Sequence, residues 1–145
     1  MSFEKLKELK FDSKVESKAI EQSVKNVELR MDIKRGDIYI ADLSGAIASE
    51  QKGEERPVLI IQNDVGNRFA PTVIVVPLTT KCKRELPTHF KLEAGKTPVN
   101  QTSYAICEQI RTIDKSRLKG YVGKVREEDL EGLNECLLIS LGIGK

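Results

Sequence analysis

The side chains here that can do chemistry are a guanidinium, a hydroxyl and several polar groups placed at loop and strand ends. Arg56 heads the apolar run Pro57–Ile61, where a polar loop delivers it to the surface. A planar guanidinium in such a place can grip two phosphate oxygens in a fixed geometry. An Arg at a strand end is also a common surface feature with no task. Thr79 follows the apolar run Val73–Leu78, so its hydroxyl sits at the open end of a strand. There it can donate to a phosphoryl oxygen or, as Thr often does, satisfy nearby backbone. Alternation turns Thr80 to the opposite face. Gln109 and Arg111 lie two apart on what reads as one strand, hence on one face, with Glu108 on the other. Gln can pair with a base edge, and Arg can hold a phosphate or stack on a base.

Glu50 and Gln51, in the long first loop, suit action on a hydroxyl or the reading of a base edge, with plain solvation as the ordinary alternative. Lys81, Lys83 and Arg84 make a basic loop directly after Thr79, a source of salt-dependent phosphate attraction. Phe69 offers a ring to an unpaired base or to the core. His89 is the only histidine, the side-chain type that ordinarily titrates near neutrality. Its place in a strand pattern after Pro87-Thr88 predicts a structural role.

What is missing narrows the chemistry. One His and three scattered cysteines (Cys82, Cys107 and Cys136, without CxxC spacing) form no metal-ligand pattern, so neither metal nor cofactor is expected. An odd number of unpaired thiols fits a reducing compartment. With 145 residues the chain is long enough for one domain with a real core. A hydrophobic content of 39% against 32% charged places it among globular rather than disordered proteins. The formal net charge of +2 is too small to announce nucleic-acid binding, which leaves that question to local clusters of Lys and Arg. No apolar run approaches the roughly 18 residues of a membrane span, and the N-terminal stretch lacks a continuous apolar segment of the secretory kind. A cytoplasmic location is expected.

The elements that must position these groups divide at about Met31. Residues 1–30 lack Gly and Pro, are rich in Lys and Glu, and place Ile20, Val24 and Val27 at helical spacing behind a Ser13/Glu16 capping box. They predict a helical or partly disordered extension, whose amphipathic stretch would lie over the rest and modulate it. Residues 31–145 have a different texture. Ile38 and Ile40 alternate with Asp37 and Tyr39 as in a half-buried strand. A polar loop follows over 44–55, then the β-branched runs Pro57–Ile61 and Val73–Leu78, joined by a turn-rich loop around Asn63-Asp64 and Gly66-Asn67. Thr88–Leu92, Tyr104–Ile110 and Tyr121–Val125 read as further strands. Leu130, Leu133, Leu137, Leu138 and Leu141 then fall at helical intervals behind Glu127, Glu128 and Asp129, with Gly142 as the stop. Short strands followed by one amphipathic helix predict an α+β, mainly β fold: a small, strongly curved barrel or sheet with a helical cap.

From Lys34 to Ile143 the chain resembles the MazF/PemK toxin family. Four segments carry the likeness: Arg35-Gly36-Asp37-Ile38-Tyr39 with Ala41-Asp42-Leu43; Ser49-Glu50-Gln51 running into Arg56–Asp64; Val75–Thr80 followed by Leu86-Pro87-Thr88-His89; and Glu108–Asp114 with Arg117-Leu118. One alone would be weak; four in order are specific, and they look like the Gram-positive branch. The resemblance implies an SH3-like barrel of the MazF/PemK/CcdB kind, a homodimer, and a MazE-like antitoxin partner. It also implies metal-independent, sequence-specific cleavage of single-stranded RNA, by attack of the ribose 2′-OH to leave a cyclic phosphate and a 5′-OH. By the same resemblance Arg56 and Thr79 are the catalytic pair, and Ser49, Glu50, Gln51, Phe69, Thr80, Lys81, Gln109 and Arg111 contact RNA. In the Kid-type branch an arginine and an acid act from the strand before Arg111. Here Ile106 and Glu108 take those places, which moves the expectation onto Arg56 and Thr79.

Two other functions are compatible with such a fold. A CcdB-like toxin binds DNA gyrase and cuts nothing, but that activity resides in a C-terminal Trp-Gly-Ile. This chain has Leu141-Gly142-Ile143 and no Trp. A noncatalytic RNA-binding barrel would bind RNA and leave it intact.

Overall fold

A computed structural model describes residues 32–44 and 55–144. Seven strands and two helices follow one another: β1 (Asp37–Asp42), β2 (Glu55–Ile60), α1 (Asp64–Phe69), β3 (Thr72–Thr79), β4 (His89–Leu92), β5 (Ser103–Ile106), β6 (Arg111–Asp114), a single 3₁₀ turn (Lys115–Arg117), β7 (Leu118–Lys124) and α2 (Glu127–Leu141). The extension over 1–30, with Ile20, Val24 and Val27, lies outside the described residues, as do Ser49, Glu50 and Gln51.

All the ladders are antiparallel. They run in the order β4-β5-β3-β2-β1-β7, with β6 also on β3. β3 is the hinge of this arrangement. Along one edge it pairs with β2; along the other it pairs first with β6, from Thr72 to Val75, and then with β5, at Leu78 and Thr79. Pro77 falls in the interval between those two partners. A residue that lacks an N–H is tolerated there at no cost to a second ladder. The sheet curves but does not close: among the described residues no ladder joins β6 to β7.

The continuous apolar runs are explained by burial on both faces. Tyr39, Ala41, Val58, Ile60, Val73 and Val75 pack with Leu43, Ile113 and Leu118 on one side. Ile38, Leu59, Val76 and Leu78 pack with Leu92, Ala105, Cys107, Leu133 and Leu137 on the other. β1 is therefore not the half-buried strand its alternation predicts: even Asp37 is buried. The Asp37 side chain accepts the Lys34 N–H at 2.8 Å, and Gly36 makes the turn between them with φ 94°.

Helix α2 supplies Leu133 and Leu137 to the second core, while Leu138 and Leu141 of the same apolar series face outward. Asp129 reaches back to the backbone N–H and the guanidinium of Arg126, fixing the first turn. Gly142 ends the helix in the left-handed region, as its position in the sequence predicts. The turn-rich loop after β2 is instead a short helix, α1, with Asn63 accepting the Gly66 N–H at its head. Asn67 is buried on it, donating to Gln62 O, accepting from the Gln62 side chain, and offering its own carbonyl to Lys115.

Where α2 crosses β4, a Cβ at Gly132 would overlap the ring of Phe90. An exposed helical Gly replaced by Ala normally gains about 1 kcal/mol. Here Gly132→Ala should instead lose about 1–3 kcal/mol in urea unfolding, the cost of overpacking. A gain would mean that helix and strand are not in this close contact.

Candidate active site

The register of the central ladder decides what stands beside Arg56. Val58 is opposite Pro77 and Ile60 opposite Val75. The ladder ends at Val58–Pro77; extended two residues beyond that last rung, its register would set Arg56 opposite Thr79. On its other side Arg56 faces Ala41, and Thr79 faces Tyr104. Directly paired residues share a face and stand about 4.5–5.5 Å apart. Two short rows lie on this face: Ala41 beside Arg56, and Thr79 beside Tyr104 with Lys91 beyond it on β4. This is the face of the first core, at the end of β2 and β3 where that core stops. Val58 and Val75 are fully buried, whereas Arg56 and Thr79 are half-buried and reach its rim.

Thr79 is held ready by the next turn. Its hydroxyl accepts the Lys81 N–H at 3.1 Å and donates to Lys81 O at 3.3 Å. The accepting bond orients the oxygen. The donating bond is long for O–H···O and readily exchanged for a better acceptor. Lys81, Lys83 and Arg84 are exposed in the loop that follows, and Thr80 is exposed beside them.

Other residues singled out from the sequence lie elsewhere. Phe69 is on α1, at the far end of β3 from Thr79, its ring beneath the Arg68 guanidinium at 5.4 Å. Seven residues of strand separate those ends, roughly 20 Å. Gln109 and Arg111 do not share a strand. The stretch Tyr104–Ile110 breaks after Ile106 into a turn closed by the Gln109 N–H on Ile106 O. Arg111 begins β6, opposite Val75. Gln109 lies in the crossing between β5 and β6, and its Oε1 is buried without a hydrogen-bond partner among the described residues.

Two features were not foreseen. Tyr104, on the far side of Thr79, was read only as part of a strand; its hydroxyl donates to Glu85 at 2.7 Å. The second is a cluster at the end of β4. His89 Nε2 lies 2.9 Å from Glu108 Oε2, and Thr88 donates to Glu108 Oε1 at 2.8 Å. His89 Nδ1 receives the Leu86 N–H at 3.3 Å and stands 3.5 Å from Cys82 Sγ. His89 and Glu108 face each other because β4 pairs with β5, a relation that the sequence spacing does not show.

Among the described residues no group of three or more His, Cys, Asp or Glu is placed to hold a metal ion. Of the family-like segments, Arg35 donates to Ile61 O and to Asn134, tying α2 to the sheet. Arg117 donates to Asp42 O and Ser44 O, holding the backbone where the loop after β1 departs. Those residues are structural.

Over residues 34–141 the sequence matches the family described as PemK-like, MazF-like toxin of type II toxin-antitoxin system. The chain belongs to this family. The Bacillus subtilis protein named Endoribonuclease EndoA is 47% identical over 114 residues, which are 78% of this chain and 97% of the relative. A mycobacterial endoribonuclease solved in complex with its cognate antitoxin shares 28% identity at a TM-score of 0.66, over 78% of this chain and 98% of that one. MazF from Deinococcus radiodurans, at 18% identity, has the same fold: TM-score 0.66 over 78% and 99% of the two chains. The SH3-like, mainly β architecture expected from the sequence is the architecture found, with the open sheet as the difference.

The Glu108 cluster has a consequence for stability. Burial pushes the Glu108 carboxyl up, but the hydrogen bonds from His89, backbone and Thr88 outweigh it and leave it below the usual carboxylate range. A lowered carboxylate stabilises the fold above its unfolded pKa and loses that contribution as pH falls through the folded one. Glu108 is partly exposed, so the effect stays at or below about 1 kcal/mol. Glu108→Gln should therefore melt below the parent at neutral pH, and the gap should close as the solution is acidified through the carboxylate range. A gap independent of pH would show that the carboxylate charge contributes nothing.

Proposed function

We propose that this MazF-like chain is a sequence-specific endoribonuclease that cleaves single-stranded RNA at the Arg56–Thr79 pair, without a metal, and is inhibited by a MazE-like antitoxin. The observation that carries this reading is the β2–β3 register, which supports a guanidinium and a hydroxyl meeting just past its last rung, on one face at the rim of the core. The endoribonuclease name of the Bacillus relative supports the activity. The antitoxin complex of the mycobacterial relative supports the partner. Action as a homodimer in the cytoplasm completes the proposal.

The nucleophile is the substrate's own 2′-OH, so the protein's task is to stabilise charge and move protons. Arg56 bridges the two non-bridging oxygens of the scissile phosphate, where negative charge grows as the 2′-oxygen attacks. A guanidinium keeps its proton, which fits it for that role and not for a base. Thr79 exchanges its bond to Lys81 O for one to a phosphoryl oxygen while the Lys81 N–H continues to orient it. The 2′-oxygen closes a 2′,3′-cyclic phosphate, and the 5′ oxygen leaves as a hydroxyl. Glu50 and Gln51, from the first loop, act on the 2′-OH or read a base edge.

Sequence reading belongs to the groups around that pair. Gln109 holds a buried acceptor with no partner among the described residues, a cost of about 1–3 kcal/mol that a base N–H would recover. Tyr104 presents a ring next to Thr79 on which a base can stack. Lys81, Lys83 and Arg84 draw in the backbone, an attraction that falls steeply with salt.

The gyrase-poison alternative is disfavoured by the chain's end. Gly142, in place within Leu141-Gly142-Ile143, is the left-handed cap of α2, so its presence there has a structural cause.

The test is incubation with a long RNA in excess EDTA. Discrete fragments with 5′-hydroxyl ends are expected, and Arg56→Ala and Thr79→Ala should each lower the rate by about a hundredfold or more, with unchanged melting curves. Gln109→Ala should keep cleavage but alter the cut-site profile. RNA that is bound and left intact would reduce the protein to a binding module. Full activity in the Arg56 variant would remove the guanidinium from the mechanism.

A further inference from the structure

Cys82 and His89 sit seven residues apart, on a loop and on β4, and Glu108 comes from the turn after β5. The chain brings the three into a line: sulfur, imidazole, carboxylate. The Leu86 N–H donates to His89 Nδ1 at 3.3 Å, which makes Nδ1 the acceptor nitrogen and leaves the proton on Nε2. Nε2 then donates to Glu108 at 2.9 Å. Cys82 Sγ, whose thiol points at Arg84 O, lies 3.5 Å from Nδ1, so a turn of the S–H would let it share that acceptor with the Leu86 N–H. That is the arrangement in which an imidazole takes a thiol proton and a carboxylate stabilises the imidazolium that results. His89 is nearly buried, with 9% of its side chain exposed, so the pair is sheltered from bulk water. Cys82 is half-exposed and has the exposed cations Lys81, Lys83 and Arg84 as chain neighbours. The sulfur thus has a base within reach and a positively charged, partly open setting.

We infer that Cys82 is a modification site: a thiol activated by His89 and Glu108 that reacts with hydroperoxides to give a sulfenic acid. In that step the Cys82 proton passes to His89 Nδ1. The thiolate attacks one peroxide oxygen, an S–O bond forms and the O–O bond breaks. The departing hydroxide, or the alkoxide of an organic hydroperoxide, takes the imidazolium proton and leaves as water or alcohol. Sulfur loses two electrons and the peroxide is reduced by two. The other two thiols are poor candidates for the same reaction. Cys107 is fully buried, and burial pushes its thiol up to about 12; Cys136 is also raised by burial, with Glu135 adding to it.

The site adjoins the proposed active site through the chain itself. Cys82 follows Lys81, whose backbone orients the Thr79 hydroxyl, and its Sγ also donates to Arg84 O at 3.4 Å. An oxygen added at sulfur disturbs both the Arg84 contact and the His89 contact, and with them the turn that presents Thr79. The modification stands without the nuclease reading; only its effect on cleavage rests on that reading.

The experiment treats the native full chain with iodoacetamide and, separately, with hydrogen peroxide plus dimedone, and locates adducts by mass spectrometry. Cys82 should be alkylated about tenfold or more faster than Cys136 or Cys107 and should carry the dimedone adduct. His89→Gln should slow Cys82 alkylation several-fold at unchanged circular dichroism. Glu108→Gln, at a more exposed position, should slow it less, and it stands in if the His89 variant does not fold. Labelling of Cys82 no faster than Cys136, or unaltered by both substitutions, would overturn the inference. Peroxide should also lower RNA cleavage in the parent and spare Cys82→Ser. Adducts on Cys82 with unchanged cleavage would preserve the site and refute its coupling to the groove.

Discussion

The pairing of β2 with β3 is the constraint on which the rest depends. In an antiparallel ladder a shift of one residue turns every side chain to the other face. Here such a slip would carry Arg56 away from Thr79, and would also move Val58, Ile60, Val73 and Val75 out of the first core into the second, where Leu59, Val76 and Leu78 now pack. The apolar pattern of the two strands therefore protects the geometry of the site. The residues that hold the register belong to the cores and take no part in the chemistry. A site built at the end of such a ladder inherits the rigidity of the core and gains an open side at which a chain of RNA can lie.

The second organising feature is the change of partner along β3. By leaving β6 and taking up β5 on either side of Pro77, the strand contributes to two ladders and bends the sheet. Its last residues leave β2 after Pro77 and pair with β5, which sets Thr79 beside Tyr104. The same crossover forces the chain after Ile106 into a tight turn. That turn sets Glu108 against His89 and leaves Gln109 in the crossing. Candidate base-reading and thiol-activating groups thus share one topological cause.

How much of this the sequence shows depends on whether the signal is local. The runs 57–61 and 73–78 announce buried strands, and the Leu series with Gly142 announces α2, because each is a short-range pattern with a physical period. The pairing of Arg56 with Thr79 was reached through family likeness, since no local rule links residues that far apart. The break after Ile106 is hidden: only Glu108 and Gln109 interrupt the apolar residues before Ile110, and no Gly or Pro marks the turn. It arises because Cys107 completes the last rung by donating to Thr88 O, after which the chain must change partners. α1 carried a readable sign in Asn63, an N-cap type, but Gly66 inside the helix masked it. His89 looked structural as a lone histidine. Only the β4–β5 ladder, which puts Ile106 opposite it, brings Glu108 within reach.

The central claim, that Arg56 and Thr79 act together on one phosphodiester, is tested most directly by a double-mutant cycle on the RNA cleavage rate. Groups that serve one transition state are not additive. The account predicts that Arg56→Ala/Thr79→Ala cleaves scarcely more slowly than the worse of the two single variants. Losses that multiply, the double variant falling by the product of the two, would show that the guanidinium and the hydroxyl work independently and would contradict it.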